Sequence, residues 1–346
     1  MKNFDEIKKD AEEKTKIDRA LISNKDFYDK ELPTTKWIAD KLIPCGITIL
    51  SANPSSYKTW LILKMAIEIA TGKPMFGYFK TSFEEETRKA SLIINEESGE
   101  KTIQDRIKML INENEKDLPI YYLNLAGIKI ETDLDKVLEI CKEKGIKFLI
   151  IDSLTRIHNK QENSADEVKQ IFEGLVKFVK ENISVILTHH NRKESMFGKN
   201  KNISQEMRGS VDLLAQVDCH LAIDIVDVDR GFITIKQPKL RVAEAIPDFK
   251  INIIKDGDKI DFVYGGLFTA QDFAESKTEE AKDIIFKVIQ DNPEITRDEI
   301  CLKLKGSVGE RIVKMAIPRM EKEELILSAT KKPKRYIIKE QNSGLF

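Results

Sequence analysis

A chain of 346 residues predicts one large domain with a smaller one, because domains usually span roughly 100–200 residues. Hydrophobic residues make up 41% and charged residues 33% of the chain, and no apolar run approaches the roughly 20 residues that cross a bilayer, which excludes a membrane protein. The net charge of −1 excludes a bulk positive field, so any contact with nucleic acid must use local basic patches.

Residues 1–33 are predicted to form an N-terminal helical arm. Residues 1–30 are polar and helix-prone, and Pro33 marks a break because the residue before a proline avoids the helical region. The charged start has no apolar core followed by small residues, so it does not resemble a secretory signal and predicts a cytoplasmic protein. The four scattered cysteines form no C-x-x-C pair, which predicts reduced structural thiols.

Residues 34–268 are predicted to form an α/β domain with a mainly parallel sheet. Short apolar runs alternate with amphipathic segments from Ile47 to Thr188, which is typical of parallel strands joined by crossover helices. After Cys219 the pattern changes to successive strands with turn signals such as residues 256–258. This change predicts an antiparallel extension of the sheet.

Residues 276–346 are predicted to form a winged helix-turn-helix domain. Three helices are expected over Thr278–Gln290, Thr296–Leu304 and Val308–Glu323, and Pro318 should kink the third. A hairpin with a basic turn follows, and this combination is typical of winged helices that bind duplex DNA. The basic residues predicted to contact duplex DNA are Lys331, Lys332, Lys334 and Arg335.

The stretch from Ala52 to Thr59 is predicted to bind phosphate, because an apolar strand runs into it and a helical run follows at once. Lys58 would contact the β and γ phosphates of ATP, and the Thr59 hydroxyl would hold Mg²⁺. Ala52 and Tyr57 stand where this motif usually has glycine, so Tyr57 must turn its ring away. Alone, the stretch would also fit a proline-containing turn. The residues predicted to bind the nucleotide are Ser55, Ser56, Tyr57, Lys58, Thr59 and Trp60.

Three further strands end in polar residues that suit the same chemistry. The run Phe148–Ile151 leads to Asp152, in the form of a strand whose aspartate holds the Mg²⁺ shell. The run Leu92–Asn95 leads to Glu96, which is predicted to orient and deprotonate the attacking water. Either acid would also fit a solvated turn. A third strand leads into His189, at the sheet edge where open α/β folds bind ligands.

These elements, in this order, resemble the RecA/DnaB superfamily of motor ATPases, and within it the RepA-like hexameric helicases of mobile elements. The resemblance covers about residues 37–264 and rests on the phosphate loop, Glu96-Glu97, Thr102–Arg106, Asp152, residues 188–190 and residues 207–210. It implies a RecA-like P-loop core that hydrolyses ATP with Mg²⁺. It also implies a homo-oligomer, expected to be a hexamer, that holds single-stranded DNA in a central channel.

The resemblance implies roles for individual residues as well. The water-activating glutamate falls on Glu96, with Glu97 as the second choice, and the histidine that senses the γ phosphate falls on His189. The arginine that reaches into the neighbouring subunit's nucleotide falls on Arg208. The basic residues of a channel loop, suited to a phosphate backbone, are Arg192, Lys193, Lys199 and Lys201.

The sequence therefore predicts an ATP-hydrolysing DNA helicase or loader that replicates or maintains a mobile element. The phosphate loop without glycine and the C-terminal winged helix depart from the family pattern. Three alternatives stay open: a RecA-like recombination or repair ATPase that does not unwind DNA, a nucleotide-gated winged-helix regulator, and a degenerate P-loop protein that binds no nucleotide.

Overall fold

The computed structural model describes residues 17–18, 20–32, 34–81, 89–160, 164–191, 210–228, 230–330 and 333–339. The chain divides into two compact units, residues 1–36 and 37–346. In the first unit, the short helix α1 (Asn24–Tyr28) begins after Ser23, whose hydroxyl accepts a hydrogen bond from the Asp26 amide at 3.1 Å. Every residue of α1 is described and none is buried.

The second unit begins with a small antiparallel pair, β1 (Trp37–Ala39) and β2 (Ile43–Pro44). Strands and helices then alternate as β3 (Ile47–Ala52), α2 (Lys58–Thr71), β4 (Ala90–Asn95), α3 (Glu100–Leu110), β5 (Ile120–Asn124), α4 (Ile130–Glu143), β6 (Ile146–Asp152), α5 (Ala165–Lys180) and β7 (Ser184–His190). A short helix and a series of strands follow as α6 (Ser210–Gln216), β8 (Cys219–Asp227), β9 (Phe232–Leu240), β10 (Phe249–Asp256) and β11 (Lys259–Leu267).

The central sheet has nine strands within the described residues, in the order β11-β10-β9-β8-β3-β7-β6-β4-β5. Neighbouring strands from β8 to β5 are parallel, and those from β8 to β11 are antiparallel. The predicted α/β fold with a largely parallel sheet and an antiparallel extension is confirmed. The carboxyl ends of β3, β7, β6 and β4 therefore lie side by side at one edge.

Both faces of the sheet are covered by helices, and side chains alternate between them along each strand. Leu50 and Ile150 belong to the apolar cluster that includes α2. Their neighbours Ile49 and Ile151 belong to the cluster that includes α4 and α5. This alternation decides which polar side chains at the strand ends reach α2 and the loop before it.

The C-terminal region has an apolar core of its own. It consists of α7 (Ala270–Asp291), β12 (Ile295–Thr296), α8 (Arg297–Lys303), α9 (Glu310–Lys322), β13 (Ile326–Ser328) and β14 (Arg335–Ile338). The strands pair antiparallel in the order β12-β14-β13, and buried Ile285, Val313 and Ile317 join the helices. Pro318 lies inside α9, which continues to Lys322. That this region is a winged helix stays a prediction.

Helix α7 begins earlier than predicted because Thr269 and Asp272 cap it reciprocally. The Asp272 amide donates to the Thr269 hydroxyl at 3.2 Å, and the Thr269 amide donates to the Asp272 carboxylate at 2.9 Å. Arg230, between β8 and β9, lies 3.3 Å from Asp272 and 2.9 Å from Glu275, and Ser276 donates to Asp227 at 3.1 Å. The predicted boundary between residues 268 and 276 therefore lies largely inside a helix that is tied to the sheet.

Candidate functional site

The loop between β3 and α2 takes a backbone conformation that normally favours glycine. Ser55 has a φ of 63° and Tyr57 a φ of 62°, in the left-handed region that costs an L-residue roughly 1–2 kcal/mol. The Tyr57 ring lies edge-on to Phe262 of β11, with ring centroids 6.0 Å apart. The ring is therefore turned onto the sheet, which is the arrangement that a tyrosine at this position required.

Lys58 is the first residue of α2, and its side chain lies at the carboxyl ends of the strands. It is 6% exposed, and its Nζ lies 3.0 Å from Nδ1 of His190 and 3.5 Å from the carbonyl oxygen of His189. Burial lowers the pKa of Lys58, while the charges of Asp152 and Glu97 act in the opposite direction. Contacts with the two histidines thus fix the Lys58 side chain in a position from which it could bind an anion.

Thr59 and Asp152 form a compact group of oxygen atoms. The Thr59 hydroxyl donates to Oδ2 of Asp152 at 2.9 Å, and the Thr188 hydroxyl donates to Oδ1 at 2.5 Å. Burial raises the pKa of Asp152, which is 1% exposed, against the effect of these two hydrogen bonds. A carboxylate beside a hydroxyl at a phosphate loop is the kind of oxygen site that Mg²⁺ shares with phosphates and water, so these residues fit that ion.

The two adjacent glutamates after β4 have different surroundings. Glu96 accepts hydrogen bonds from the backbone amides of Gly127 and Ile128 at 3.2 and 3.0 Å. Glu97 lies 3.0 Å from Nε2 of His190. That hydrogen bond lowers the pKa of Glu97 to about 2, although burial raises it. The structure thus places Glu97, and not Glu96, beside Lys58.

The two adjacent histidines of β7 show the same division. His190 lies between Lys58 and Glu97, whereas His189 is fully buried. His189 pairs in register with Ser51 of β3, and the Ser51 hydroxyl lies 2.8 Å from Nε2 of His220 on β8. His189 therefore belongs to a buried histidine and serine group on the face opposite α2.

Strand alternation explains why His190, and not His189, lies beside Lys58. Asp152 and Thr188 share a face with Ile150 and Ile186, which belong to the cluster of α2. Counting in steps of two places His190 on this face and His189 on the other. The glutamates follow a turn after β4, in which the Asn95 side chain accepts the Ser98 amide at 3.0 Å, so their direction depends on turn geometry.

Arg106 of α3 is a site residue to which the sequence assigned no role. Its guanidinium lies 5.4 Å from the centre of the Trp60 ring. Burial lowers the pKa of Arg106, and the charges of Asp152 and Glu97 oppose this. The available signal was its position in Thr102–Arg106, one of the stretches that carry the family resemblance.

These side chains surround a cavity of about 390 Å³ beside the loop. All six residues predicted to bind the nucleotide line it, and Glu97, Arg106 and His190 complete one side. The cavity joins anion-binding backbone, a lysine, an arginine, and a carboxylate that can accept a proton. That is a set suited to binding and hydrolysing a phosphoanhydride.

Several predicted site residues lie outside the described residues: Arg192, Lys193, Lys199, Lys201, Arg208, Lys331 and Lys332. Two predicted DNA contacts are described. Lys334 lies 3.1 Å from Glu321 of α9, and Arg335 donates to the carbonyl oxygen of Glu294 at 2.8 Å. Both of these cations therefore have partners within the C-terminal region.

Comparison with known proteins identifies a related family. A family model described as an AAA domain matches residues 12–196, more than half of the chain. A solved DnaB-like replicative helicase, described with its interactions with primase, is similar at 16% identity and a TM-score of 0.49, over 65% of this chain and 58% of that one. A second solved structure, described as an ATPase domain, is similar at 16% identity and a TM-score of 0.47, over 63% of this chain and 84% of that one.

No curated protein matches the chain. The chain spans little more than half the length of that DnaB-like helicase. Within the described ranges, none of the helices combines the length and the apolar character needed to traverse a bilayer.

Proposed function

Because this chain belongs to the AAA domain family, within the RecA/DnaB superfamily of P-loop ATPases, we propose that it is a Mg²⁺-dependent ATPase that acts on DNA as an oligomer. One observation carries the proposal. Lys58, Thr59 and Glu97 line a single cavity beside the phosphate loop, and the Thr59 hydroxyl donates a hydrogen bond to the buried Asp152. This grouping of a lysine, a hydroxyl and two carboxylates favours an ATPase over a degenerate P-loop protein that binds no nucleotide.

Binding of ATP begins with the loop and the start of α2. The backbone amides of residues 55–59 and the N-terminus of α2 would hold the phosphates, and Lys58 would exchange His190 for the β and γ phosphate oxygens. Trp60 and Arg106 form the side of the cavity nearest α3. The Arg106 guanidinium lies over the Trp60 ring, 5.4 Å from its centre, and would lie beside phosphates bound in this cavity.

Thr59 and Asp152 are the residues that would hold Mg²⁺. Once bound, the ion would neutralise phosphate charge and orient the β and γ phosphates. Thr188 keeps the Asp152 carboxylate in place through its 2.5 Å hydrogen bond. Asp152 thus has a hydrogen bond to each carboxylate oxygen, which limits its rotation.

Glu97 is proposed as the base that accepts the proton of the attacking water, in place of Glu96. Glu96 is held by two backbone amides, whereas Glu97 lines the cavity. A base acts best when its pKa is near the working pH, and the hydrogen bond to His190 holds the pKa of Glu97 at about 2. We propose that ATP, by drawing Lys58 from His190, also loosens the bond between His190 and Glu97. His190 thereby takes the sensing role first expected of His189.

Assembly is proposed to complete the site. Arg208 is expected to reach the nucleotide of a neighbouring subunit, where removal of such an arginine costs roughly 10³–10⁵-fold in rate. Arg208→Ala and Glu97→Gln should each be inactive, and mixing them should restore activity, since some interfaces then join an intact Glu97 to an intact Arg208. Co-assembly without recovered activity would contradict a shared site.

The proposed substrate is DNA, moved or unwound by a hexamer related to RepA-like helicases. Single-stranded DNA would lie along Arg192, Lys193, Lys199 and Lys201 in the channel. Duplex DNA would contact the C-terminal region, whose helices and three-stranded sheet support its interpretation as a winged helix. Lys331, Lys332, Lys334 and Arg335 would supply this contact, and Lys334 and Arg335 would exchange their partners in the same region for DNA phosphates.

The deciding experiment measures the ATPase rate with and without single-stranded DNA over protein concentrations that span assembly. Stimulation by the strand, rising with assembly, is the result expected of a motor. An ATPase rate that depends neither on single-stranded DNA nor on protein concentration would contradict the motor function. The absence of any ATP hydrolysis would contradict the proposal that the protein is an ATPase.

A nucleotide-gated DNA-binding regulator is the second candidate, because α7 ties the C-terminal region directly to the sheet. Salt-dependent duplex binding that changes with ATP, without strand separation or stimulation by single strands, would favour it. A recombination or repair ATPase of the RecA type would instead be stimulated by single strands but separate none.

A further inference from the structure

A second cavity, of about 310 Å³, lies on the antiparallel side of the sheet, and we call it the tyrosine cavity. Its residues include Tyr78, Phe79, Phe249, Tyr264 and Leu267. Among the described residues, it shares no lining residue with the cavity at the phosphate loop. The proposed binding of ATP therefore does not involve the tyrosine cavity.

The aromatic rings of this cavity form a stack that is open at one end. The Tyr78 and Tyr264 rings lie nearly parallel, 3.9 Å apart at an angle of 12°. Tyr264 is also packed against Phe249 and edge-on to Phe79. Tyr78 is 60% exposed, so the stack ends in a ring that a further planar ring can cover.

The edge of the tyrosine cavity carries more positive than negative side chains, which favours binding of an anion. Lys41 and Lys80 both line the cavity and are exposed, against one carboxylate, Asp40. Within the part of the chain that the structure describes, neither lysine forms an ion pair. The cavity is at the lower end of the roughly 300–1,000 Å³ range of small-molecule sites, which suits one nucleotide unit rather than a folded partner.

We propose that the tyrosine cavity binds one unit of a single-stranded nucleic acid. A base would stack on the open face of Tyr78, and Lys41 and Lys80 would meet the adjacent phosphates. Stacking on an aromatic side chain tolerates any base, because every base has a π face. The choice of partner rests on the proposed function, but the tyrosine cavity shares none of its described lining residues with the cavity at the phosphate loop.

The test measures the affinity of the full chain for a fluorescein-labelled oligothymidylate without nucleotide. Tyr78→Ala should weaken binding by roughly 5- to 150-fold, because loss of one stacked base costs about 1–3 kcal/mol. Tyr78→Phe should bind like the parent, since the stack needs the ring and not the hydroxyl. Tyr121→Ala is the matched control, because Tyr121 is also exposed, at 40%, on β5 at the opposite edge of the sheet.

A strand with abasic sites separates stacking from charge. The parent should lose affinity for it, while Tyr78→Ala should bind both strands alike. Replacing Lys41 and Lys80 with Gln should lower the salt dependence, since each phosphate contact on a single strand contributes a slope of about 0.7. Parental affinity in Tyr78→Ala, or an equal loss in Tyr121→Ala, would overturn the proposal. A changed assembly state at parental DNA affinity would also overturn it and identify a protein contact.

The ATPase rate without DNA distinguishes this inference from the proposed function. Tyr78→Ala should hydrolyse ATP like the parent, because its ring lies outside the cavity at the phosphate loop. If the parent hydrolyses no ATP but Tyr78→Ala still weakens binding of the single strand, the proposed function would be contradicted. The proposed role of the tyrosine cavity would then remain supported.

Discussion

Both faces of the sheet carry hydroxyl and histidine side chains near the carboxyl ends of the same strands, but the two sets have different surroundings. On the face of α2, the buried Thr188 donates to Asp152, and His190 lies between Lys58 and Glu97 at the cavity beside the phosphate loop. On the opposite face, Ser51 and His220 are closed off from solvent and bond to one another. The difference teaches that position on a strand, and not residue type, separates proposed chemistry from packing.

The largest effect is expected from Lys58→Ala, which removes the only lysine that lines the cavity in the described residues. Hydrolysis should fall by roughly 10²–10³-fold or more, because a preorganised positive charge on the phosphates is lost. Steady-state ATPase assays would measure this. Lys73→Ala is the control, since Lys73 is exposed and pairs with Glu115. A parental rate in Lys58→Ala would show that α2 does not begin at a phosphate site.

Glu97→Gln and Glu96→Gln compare adjacent residues with different surroundings. Glu97→Gln should reduce the rate by roughly 10²–10⁴-fold and retain ATP binding, because it removes a base without removing shape. Glu96→Gln should remain near the parental rate, since Glu96 is not among the described residues that line the cavity. The single amide oxygen of glutamine can accept from only one of Gly127 and Ile128, so a small loss of stability is expected instead. Single-turnover hydrolysis and nucleotide binding measure the two properties. The reverse result would return the catalytic role to Glu96.

His190→Ala and His189→Asn test the same division on β7. Without His190, the pKa of Glu97 should rise from about 2, because the hydrogen bond that lowers it is gone. The acid limb of the kcat/KM profile, which reports the enzyme before ATP binds, should then move to higher pH by about one unit or more, while the kcat profile should move less. His189→Asn should leave that limb in place and lower the melting temperature instead. A shifted acid limb in His189→Asn would show that the opposite face also acts on the site.

The smallest effect is expected from His220→Gln, and it concerns stability. Burial, aided by the charges of His189 and Lys239, lowers the pKa of His220 from 6.5 to about 4. Between these values the unfolded chain takes up a proton that the folded chain does not, so stability falls as the pH drops from about 6.5 toward 4. Gln keeps a partner for Ser51 and cannot titrate.

Urea unfolding at several pH values measures this difference. The parent should lose on the order of 3 kcal/mol across the window, because each pKa unit corresponds to about 1.4 kcal/mol, and His220→Gln should lose less. An equal loss in both proteins would assign the pH dependence to other groups.

The sequence indicated the site well where chemistry alone identifies a residue. The P-loop lysine and threonine and the aspartate at the end of β6 were predicted, and the structure brings them together. The sequence favoured Glu96 over Glu97 and His189 over His190, whereas the structure places His190 beside Lys58 and Glu97. Parallel strands covered on both faces have unbroken apolar runs, which do not reveal the face that α2 covers.

The C-terminal region was predicted as helices and a hairpin, but the start of α7 was missed. The stretch between Phe268 and Ser276 resembles a linker in sequence, although Thr269 and Asp272 form a capping box at this point. The ties from Arg230 and Asp227 depend on residues far away along the chain, so no local pattern could show them. Arg106 was missed for a related reason, since its position beside Trp60 depends on how α3 packs on α2.

Because the start of α7 is bonded to the sheet, the C-terminal region is joined to the sheet by a helix and not by a flexible linker. A helix of 22 residues is about 33 Å long at 1.5 Å per residue, and its first turns are bonded to the turn between β8 and β9. Any rotation of that turn would be carried to the far end of α7 as a larger displacement. If the C-terminal region binds duplex DNA as proposed, the contacts of Arg230 with Asp272 and Glu275 would couple that duplex to the sheet that carries the phosphate loop.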